Sequence, residues 1–382
     1  MAWSRAALGA GVAVAVAALL VSGGSGTDPQ APRFLEIGVV GSAGATVAVD
    51  SFGSVIDRRR ARGEALANRR WLGRVRPLGA GAPPWARRMY LQSLLVLRAL
   101  TDRNGAVIAG AREGWAYVWP RDAGAVALAF AAAGYRAEAR RVARFLLGLD
   151  LDAAARFYED GAPVGGREAQ GDARGWVEAA ARAAGIPSPT APFDWRDRPD
   201  YQEKGEGDYL GNAIASGAPV KEIAERFRGT DGVLVRKVRD PGSGVDSAVA
   251  WAVQPFPYPA LFPTVRRSLR RLIDERGGRF GIVPSEDWPE DDPWTVPTAW
   301  AAWAFASLGD RATALELMSD LRRAATPLGL LPERVDAQTG EPRSTTPLAW
   351  SHAFAILALH RLWPGAVTRL PCITCQTRYT TR

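Results

Sequence analysis

The segment Trp115-Ala116-Tyr117-Val118-Trp119-Pro120-Arg121-Asp122 sets an arginine beside a carboxylate, after three aromatics on alternate positions. An Arg–Asp pair offers fixed donors and acceptors for two or more hydroxyls of one sugar ring. Aromatic rings stack on the C–H faces of sugars, so Trp115, Tyr117 and Trp119 are candidate wall residues. A capping role for Asp122 with packing roles for the aromatics explains less, because neither calls for Arg next to Asp. A second candidate is Glu333, in Leu331-Pro332-Glu333-Arg334-Val335-Asp336. Gly340-Glu341-Pro342 and then Thr346-Pro347-Leu348-Ala349-Trp350-Ser351-His352 follow it. Thr346-Pro347 reads as a cap with proline in the first helical turn, which puts Glu333 in the loop ahead of a helix. Taken alone, a loop carboxylate is ordinarily a solvated one.

The elements that must position these residues are helical. Two stretches repeat one pattern. Ala125-Val126-Ala127-Leu128-Ala129-Phe130 runs to Gly134-Tyr135-Arg136-Ala137 and then into an amphipathic segment ending near Leu149. Ala301-Ala302-Trp303-Ala304-Phe305 runs to Gly309-Asp310-Arg311-Ala312 and then to about Arg323. Each predicts an αα-hairpin whose first helix is buried nearly all round and whose second has one polar face. Repeated hairpins of this kind suit an α/α toroid, with inner helices lining a funnel and outer helices facing water. Ligands then bind at one mouth, in the loops leading into the inner helices.

Composition removes several alternatives. With 47% hydrophobic and 23% charged residues the chain is globular. Its 14 Trp suit a carbohydrate cleft, with most expected as core filler and a minority lining a site. The net charge of +8 comes almost wholly from arginines dispersed among Asp and Glu, with one dense run at Arg58-Arg59-Arg60 and Arg62 close by. A nucleic-acid binder should concentrate its charge on one stripe, so nucleic acid is not an expected partner. Cys372 and Cys375 form a lone Cys-x-x-Cys, and His352 and His360 are the only histidines. A zinc site would need more ligands, so nothing calls for a metal or an organic cofactor.

Four regions follow along the chain. Residues 1–26 carry Arg5, an apolar run from Ala6 to Val21 and a Ser/Gly exit, the pattern of a secretory signal or a membrane signal-anchor. An extracytoplasmic protein, secreted or anchored by this hydrophobic helix, is therefore expected. Residues 27–82 are a linker or a small β segment, with strand-like pieces at Phe34-Leu35-Glu36-Ile37-Gly38-Val39-Val40 and Ala45-Thr46-Val47-Ala48-Val49. Residues 83–365 form the all-α toroid, and 366–382 a tail.

The conjunction of Trp-Pro-Arg-Asp at 119–122, Asp292-Pro293-Trp294, Leu-Pro-Glu at 331–333 and Pro-Leu-x-Trp-Ser-His at 347–352 resembles the family 15 glycoside hydrolases, glucoamylase-like enzymes. The similarity runs from about Pro83 to Pro364, dense at 90–135 and 265–360 and thin between. The resemblance implies a six-hairpin α/α toroid, here with a short middle that leaves room for an incomplete ring. It implies an exo-acting, inverting hydrolase that releases glucose from oligo- or polysaccharide α-glucosides. Arg121 and Asp122 would hold the terminal glucose, Trp119 would line the innermost subsite, and Trp115, Tyr117, Trp350 and Arg279 would be further substrate contacts. Glu333 would be the general base. The family's acid-bearing segment is best matched by Pro199-Asp200-Tyr201-Gln202-Glu203-Lys204, which nominates Glu203 as general acid. Gln202 stands where the family has Trp, and Lys204 where it often has a second Glu; a lysine close to Glu203 would weaken the acid. Gln170 and Asp172 fall in a loop that is sugar-facing in the family.

Three alternatives remain at this point. One is a trehalase, or an isomaltose- or dextran-type enzyme, built from the same catalytic parts. Another is a degenerate, non-catalytic carbohydrate-binding protein of the same fold. The last is a toroid lyase or cyclase, for which the acidic cluster Glu286-Asp287-Trp288-Pro289-Glu290-Asp291-Asp292 is the only candidate motif.

Overall fold

Alanine-rich, low-bulk sequences let helices approach closely, and in this chain they form the inside of a ring. The computed structural model describes residues 39–40, 46–50, 53–55, 66–110, 114–188 and 193–365. The expected N-terminal hydrophobic helix, the Arg58–Arg62 cluster and Cys372 and Cys375 lie outside the described residues. Strands β1 (Val39–Val40), β2 (Thr46–Asp50) and β3 (Gly53–Val55) form an antiparallel sheet, with Val39 opposite Val47 and Ala48 opposite Val55. Helices follow: α1 (Pro84–Ala99), α2 (Pro120–Ala132), α3 (Arg136–Leu147), α4 (Ala173–Ala184), α5 (Leu210–Ala215) and α6 (Val220–Arg226). After a 3₁₀ segment, Ser247–Ala252, come α7 (Phe262–Arg276), the short strands β4 (Gly277–Gly278) and β5 (Gly281–Ile282), then α8 (Thr295–Ser307), α9 (Arg311–Ala324) and α10 (Ala349–Leu362). No helix among the described residues is long and apolar enough to cross a membrane.

Packing closes a ring. α2 lies against α4, α4 against α5, α5 against Ser247–Ala252, that segment against α8, α8 against α10, and α10 against α2. These inner segments are buried on nearly every side; α2 is buried from Pro120 through Phe130. The outer helices are amphipathic: α1 covers α10, α3 covers α2 and α4, α6 covers α5, α7 covers Ser247–Ala252, and α9 covers α8. The two expected hairpins are α2–α3 and α8–α9. Each turns on a glycine with positive φ, 90° at Gly134 and 82° at Gly309, a region that side chains with a Cβ avoid. Among the described residues between α4 and α5 there is no helix, so the ring has six inner segments and five outer helices.

An aromatic cluster fills the ring, and four of the six inner segments supply a member. Trp176 on α4 meets Trp251 edge-to-face at 5.2 Å, Trp251 meets Trp300 of α8 at 5.3 Å, and Trp300 meets Trp350 of α10 at 5.5 Å. Each such pair adds about 0.5–1.5 kcal/mol beyond burial of its area. Most of the tryptophans are core residues, as composition led one to expect.

One local expectation is corrected. Thr346-Pro347 does not open α10. The residue before the helix is Leu348, which is extended and donates its N–H to the Leu331 carbonyl at 2.9 Å. Pairing with residues 331–333 takes up the backbone that a cap would use.

Gly175 is where α4 meets α5: a Cβ there would lie 2.0 Å from the Ala215 carbonyl oxygen. Alanine would gain about 1 kcal/mol in helix propensity, but overpacking against backbone costs about 1–3 kcal/mol or more. Gly175→Ala should therefore lower stability, seen as a lower urea midpoint with unchanged slope; an unchanged or raised midpoint would contradict the close approach.

Candidate active site

The loops entering the inner segments converge on one cavity of about 100 Å³. Trp115 and Trp119 come from the approach to α2, and Arg121 and Asp122 from its first turn. Arg167 precedes α4, and Tyr201, Gln202 and Glu203 precede α5. Trp294 immediately precedes α8, while Glu333, Leu348 and Trp350 come from the approach to α10 and its first turn. Helix N-termini therefore surround the cavity, where their dipoles favour carboxylates.

α2 starts as it does because Trp119 is extended and Pro120 occupies the first helical position. That places Asp122 in the first turn, and not at the cap, with its side chain buried. Arg121 is buried too. It reaches Gln170 Oε1 at 2.7 Å and Asp172 Oδ2 at 2.9 Å, lies 3.8 Å from Asp122, and stacks over Trp350 with its guanidinium carbon 4.6 Å from the ring centre. Burial pushes Asp122 up to about 7 against the pull of Arg121, with the Asp172 and Glu333 carboxylates adding to the rise. Asp172 is likewise raised by burial.

Glu333 lies on an extended stretch between the entries to α8 and α10. Its N–H donates to the Thr345 carbonyl and its carbonyl accepts from Thr295, both at 3.0 Å. Its carboxylate accepts from Trp115 Nε1 at 3.3 Å and from the Ser344 hydroxyl. Burial raises its pKa, and the hydrogen bonds from Ser344 and Trp115 oppose that rise. His352 fixes the stretch from beneath. Its Nε2 accepts the Leu331 N–H at 2.9 Å, and Nδ1 lies 2.9 Å from the Ser93 hydroxyl. Burial pushes His352 down to about 3, so it is neutral and serves as a scaffold.

Glu203 accepts from Trp119 Nε1 at 3.1 Å and from Gln170 Nε2 at 2.9 Å, and forms an ion pair with Arg167. Two indoles four residues apart, Trp115 and Trp119, thus each hold one of two carboxylates. Lys204 is not the cation beside Glu203: its ammonium sits over the Trp288 ring at 4.2 Å. Arg167 takes that place. It also lines a wider groove of about 870 Å³, with Glu203, Glu168, Gly165, Gly166, Pro199 and Gly205 among its other walls.

Not every expected residue is brought in. Arg279 is exposed on the β4–β5 turn and stacks over Phe280 at 5.3 Å, away from the cavity; the expected sugar contact is not supported by its position. Its segment forms a tight surface hairpin, and the wall at this point is Trp294. Tyr117 is buried behind the wall, edge-on to Trp119 at 6.2 Å and under Arg156 at 4.5 Å. Gln170 and Asp172 hold Arg121 and do not line the cavity. Arg167 and Tyr201 were not anticipated; the only signal for Arg167 was an arginine after Gly165-Gly166 in a loop before an inner helix. Groups of His, Cys, Asp and Glu able to hold a metal ion do not occur among the described residues.

Paired helices in a ring, with two carboxylates and an arginine–aspartate pair at one mouth, define an α/α toroid with a polar cavity at that mouth. The sequence profile described as "Glycosyl hydrolases family 15" matches residues 84–151, from α1 through α3. No curated protein matches the chain. In fold it is similar to a glycosidase carrying a glutamate-to-alanine substitution, in complex with glucose, at TM-score 0.62 and 19% identity, covering 74% of this chain and 99% of that one. It is similar to a bacterial glucoamylase complexed with acarbose at TM-score 0.59 and 16% identity, covering 80% of this chain and 59% of that one. A glucoamylase from Saccharomycopsis fibuligera gives TM-score 0.57 and 14% identity over 72% and 94% of the two chains. The chain thus resembles family 15 in sequence over α1 to α3, and it shares the fold of these glycosidases over most of its length.

The raised pKa of Asp122 has a signed consequence. The native chain keeps a proton that the unfolded chain releases above about pH 4, so this group's contribution to stability falls as pH rises from there towards 7 and then levels off. Asp122→Asn removes that slope. Its thermal midpoint, relative to the unsubstituted protein, should rise between pH 4.5 and 7.5; a constant difference would show that Asp122 is ionised throughout.

Proposed function

We propose that this chain is an exo-acting, inverting glycoside hydrolase that releases glucose from α-glucosides. The observation that carries the reading is the pair Glu203 and Glu333, each held by an indole N–H in the one cavity that also contains Arg121 and Asp122. A cavity of about 100 Å³ suits the end of a saccharide better than its middle, which supports exo action. Trp350, Trp119 and Trp115 offer apolar faces to that terminal sugar, and Asp122 beside Arg121 offers hydroxyl partners.

The chemistry follows from the two carboxyls. Glu203 gives its proton to the glycosidic oxygen as the C1–O bond breaks, and the bonding pair leaves with that oxygen. Water adds to C1 from the other face of the ring and loses a proton to Glu333. Inversion needs room for that water, about 6.5–9.5 Å between the carboxyl groups. Afterwards Glu203 is the anion and Glu333 the acid, and exchange with solvent resets both.

Arg167 is the obstacle and the control point. A guanidinium beside a carboxyl group favours its ionised form. Arg167 is 41% exposed and borders the wide groove, so an incoming leaving group can displace it outward. The same ion pair is the observation behind the second reading, a sugar-binding protein without turnover. Among the described residues the groove walls contain no aromatic side chain. A long glucan has no ring to stack on there, which favours short substrates, trehalose among them.

Incubation with maltose, isomaltose, trehalose and a maltodextrin, followed by proton NMR, tests the reading. Early β-glucose is expected; tight binding with no product would support the sugar-binding alternative. Glu333→Gln should lower kcat by about 10²–10⁴-fold with little change in sugar affinity. An unaltered kcat removes Glu333 as the base.

A further inference from the structure

We infer that Arg236 and Asp200 are positioning residues for the general acid, and that their ion pair sets the backbone turn that aims Glu203 into the cavity. The inference rests on the reading of Glu203 as acid. Glu203 has φ of +57°, a left-handed conformation that a residue with a Cβ adopts only when its surroundings impose it. The imposing contacts can be traced. The Glu203 N–H donates to the Asp200 carbonyl at 3.0 Å, and the Gln202 N–H donates to Asp200 Oδ1, also at 3.0 Å. Asp200 thus ties the turn twice, through its backbone and its side chain.

Asp200 is itself fixed by Arg236 in a two-pronged pair, Nε to Oδ2 at 3.0 Å and Nη2 to Oδ1 at 2.9 Å. Both residues are 2% exposed. The remaining Arg236 nitrogen meets Asp287 at 3.0 Å, and Asp246 lies 3.4 Å from Nε. Asp246 in turn accepts from Gln202 Nε2 at 2.8 Å and from the Tyr201 hydroxyl at 3.1 Å. One buried guanidinium therefore anchors residues 200, 201 and 202, which immediately precede the acid. Gln202, where the family's tryptophan is replaced, joins this network and leaves the aromatic wall to Trp119 and Trp350. Tyr201 and Gln202 line the cavity, whereas Arg236, Asp200, Asp246 and Asp287 do not, so these four act through the turn that carries Glu203. A planar, two-pronged guanidinium suits the task, whereas an ammonium supplies charge without the fork.

The test separates positioning of the acid from general support of the fold. Cleavage of a disaccharide needs a proton on the departing oxygen. Cleavage of α-glucosyl fluoride does not: fluoride leaves with its electron pair as a stable anion, while water adds and gives its proton to Glu333. The experiment measures kcat on α-glucosyl fluoride and on the disaccharide that the full-length protein turns over fastest, for the unsubstituted protein, Glu203→Gln, Asp200→Asn and Arg236→Lys. Asp200→Asn keeps the side-chain shape, so it reports even where Arg236→Lys fails to fold. Disaccharide hydrolysis should fall by about 100-fold or more in all three variants, with fluoride hydrolysis within a few-fold of the unsubstituted protein. Equal losses on both substrates in Asp200→Asn, or no loss on either, overturn the positioning role alone. Failure of the unsubstituted protein on every sugar and on the fluoride overturns the hydrolase reading, and this one with it.

Discussion

Close approach of the inner segments is the constraint from which the site follows. The cavity is made by loops from five places in the chain, and they meet only because the segments beneath them touch. Gly175 leaves no space for a methyl group against the Ala215 carbonyl. Alanines crowd α2 and α8 for the same reason: bulk on these helices would widen the ring. The aromatic cluster then fills what small residues leave open, as Trp176, Trp251, Trp300 and Trp350 meet at right angles. Large rings in the middle and small residues between neighbours give a rigid floor beneath mobile chemistry.

Two kinds of force hold the two carboxylates. Glu333 is held by neutral donors, an indole and a hydroxyl, on a stretch tied by backbone bonds and propped by neutral His352. Glu203 is held on one side by an indole and an amide and on the other by Arg167, on a turn anchored by buried ions. Neutral donors favour the ionised carboxylate through hydrogen bonds alone, whereas an ion pair adds the attraction of a full charge. The asymmetry matches the division of labour proposed here, a fixed base and an acid whose proton depends on what sits beside it.

Much of this was legible in the sequence, and for identifiable reasons. Alanine-rich helices followed by glycine turns gave the α2–α3 and α8–α9 hairpins, because periodicity and backbone freedom are local properties. Arg121, Asp122, Trp115, Trp119 and Trp350 each lie within a few residues of an inner helix start, and Glu333 lies in the loop before α10, so all meet in one cavity. Arg279 was misplaced, since a short motif does not reveal that its loop closes into a surface hairpin. Arg167 and Arg236 were invisible, because their partners lie 36 residues away in each case, Glu203 and Asp200. Concern about Lys204 was directed at the wrong cation for the same reason: adjacency in sequence did not put its ammonium on Glu203.

Among the described residues no helix stands between α4 and α5, and this bears on how such a protein can change. The stretch that takes its place leads to the turn bearing Glu203, and Pro199 and Gly205 from that region wall the wide groove. The support of Glu333 comes from other stretches, through Thr295 and Thr345. Lengthening or shortening the chain there would reshape the entrance without altering the stretch that holds Glu333. The groove wall and the turn of Glu203 therefore vary together, while Glu333 sits on a stretch of its own.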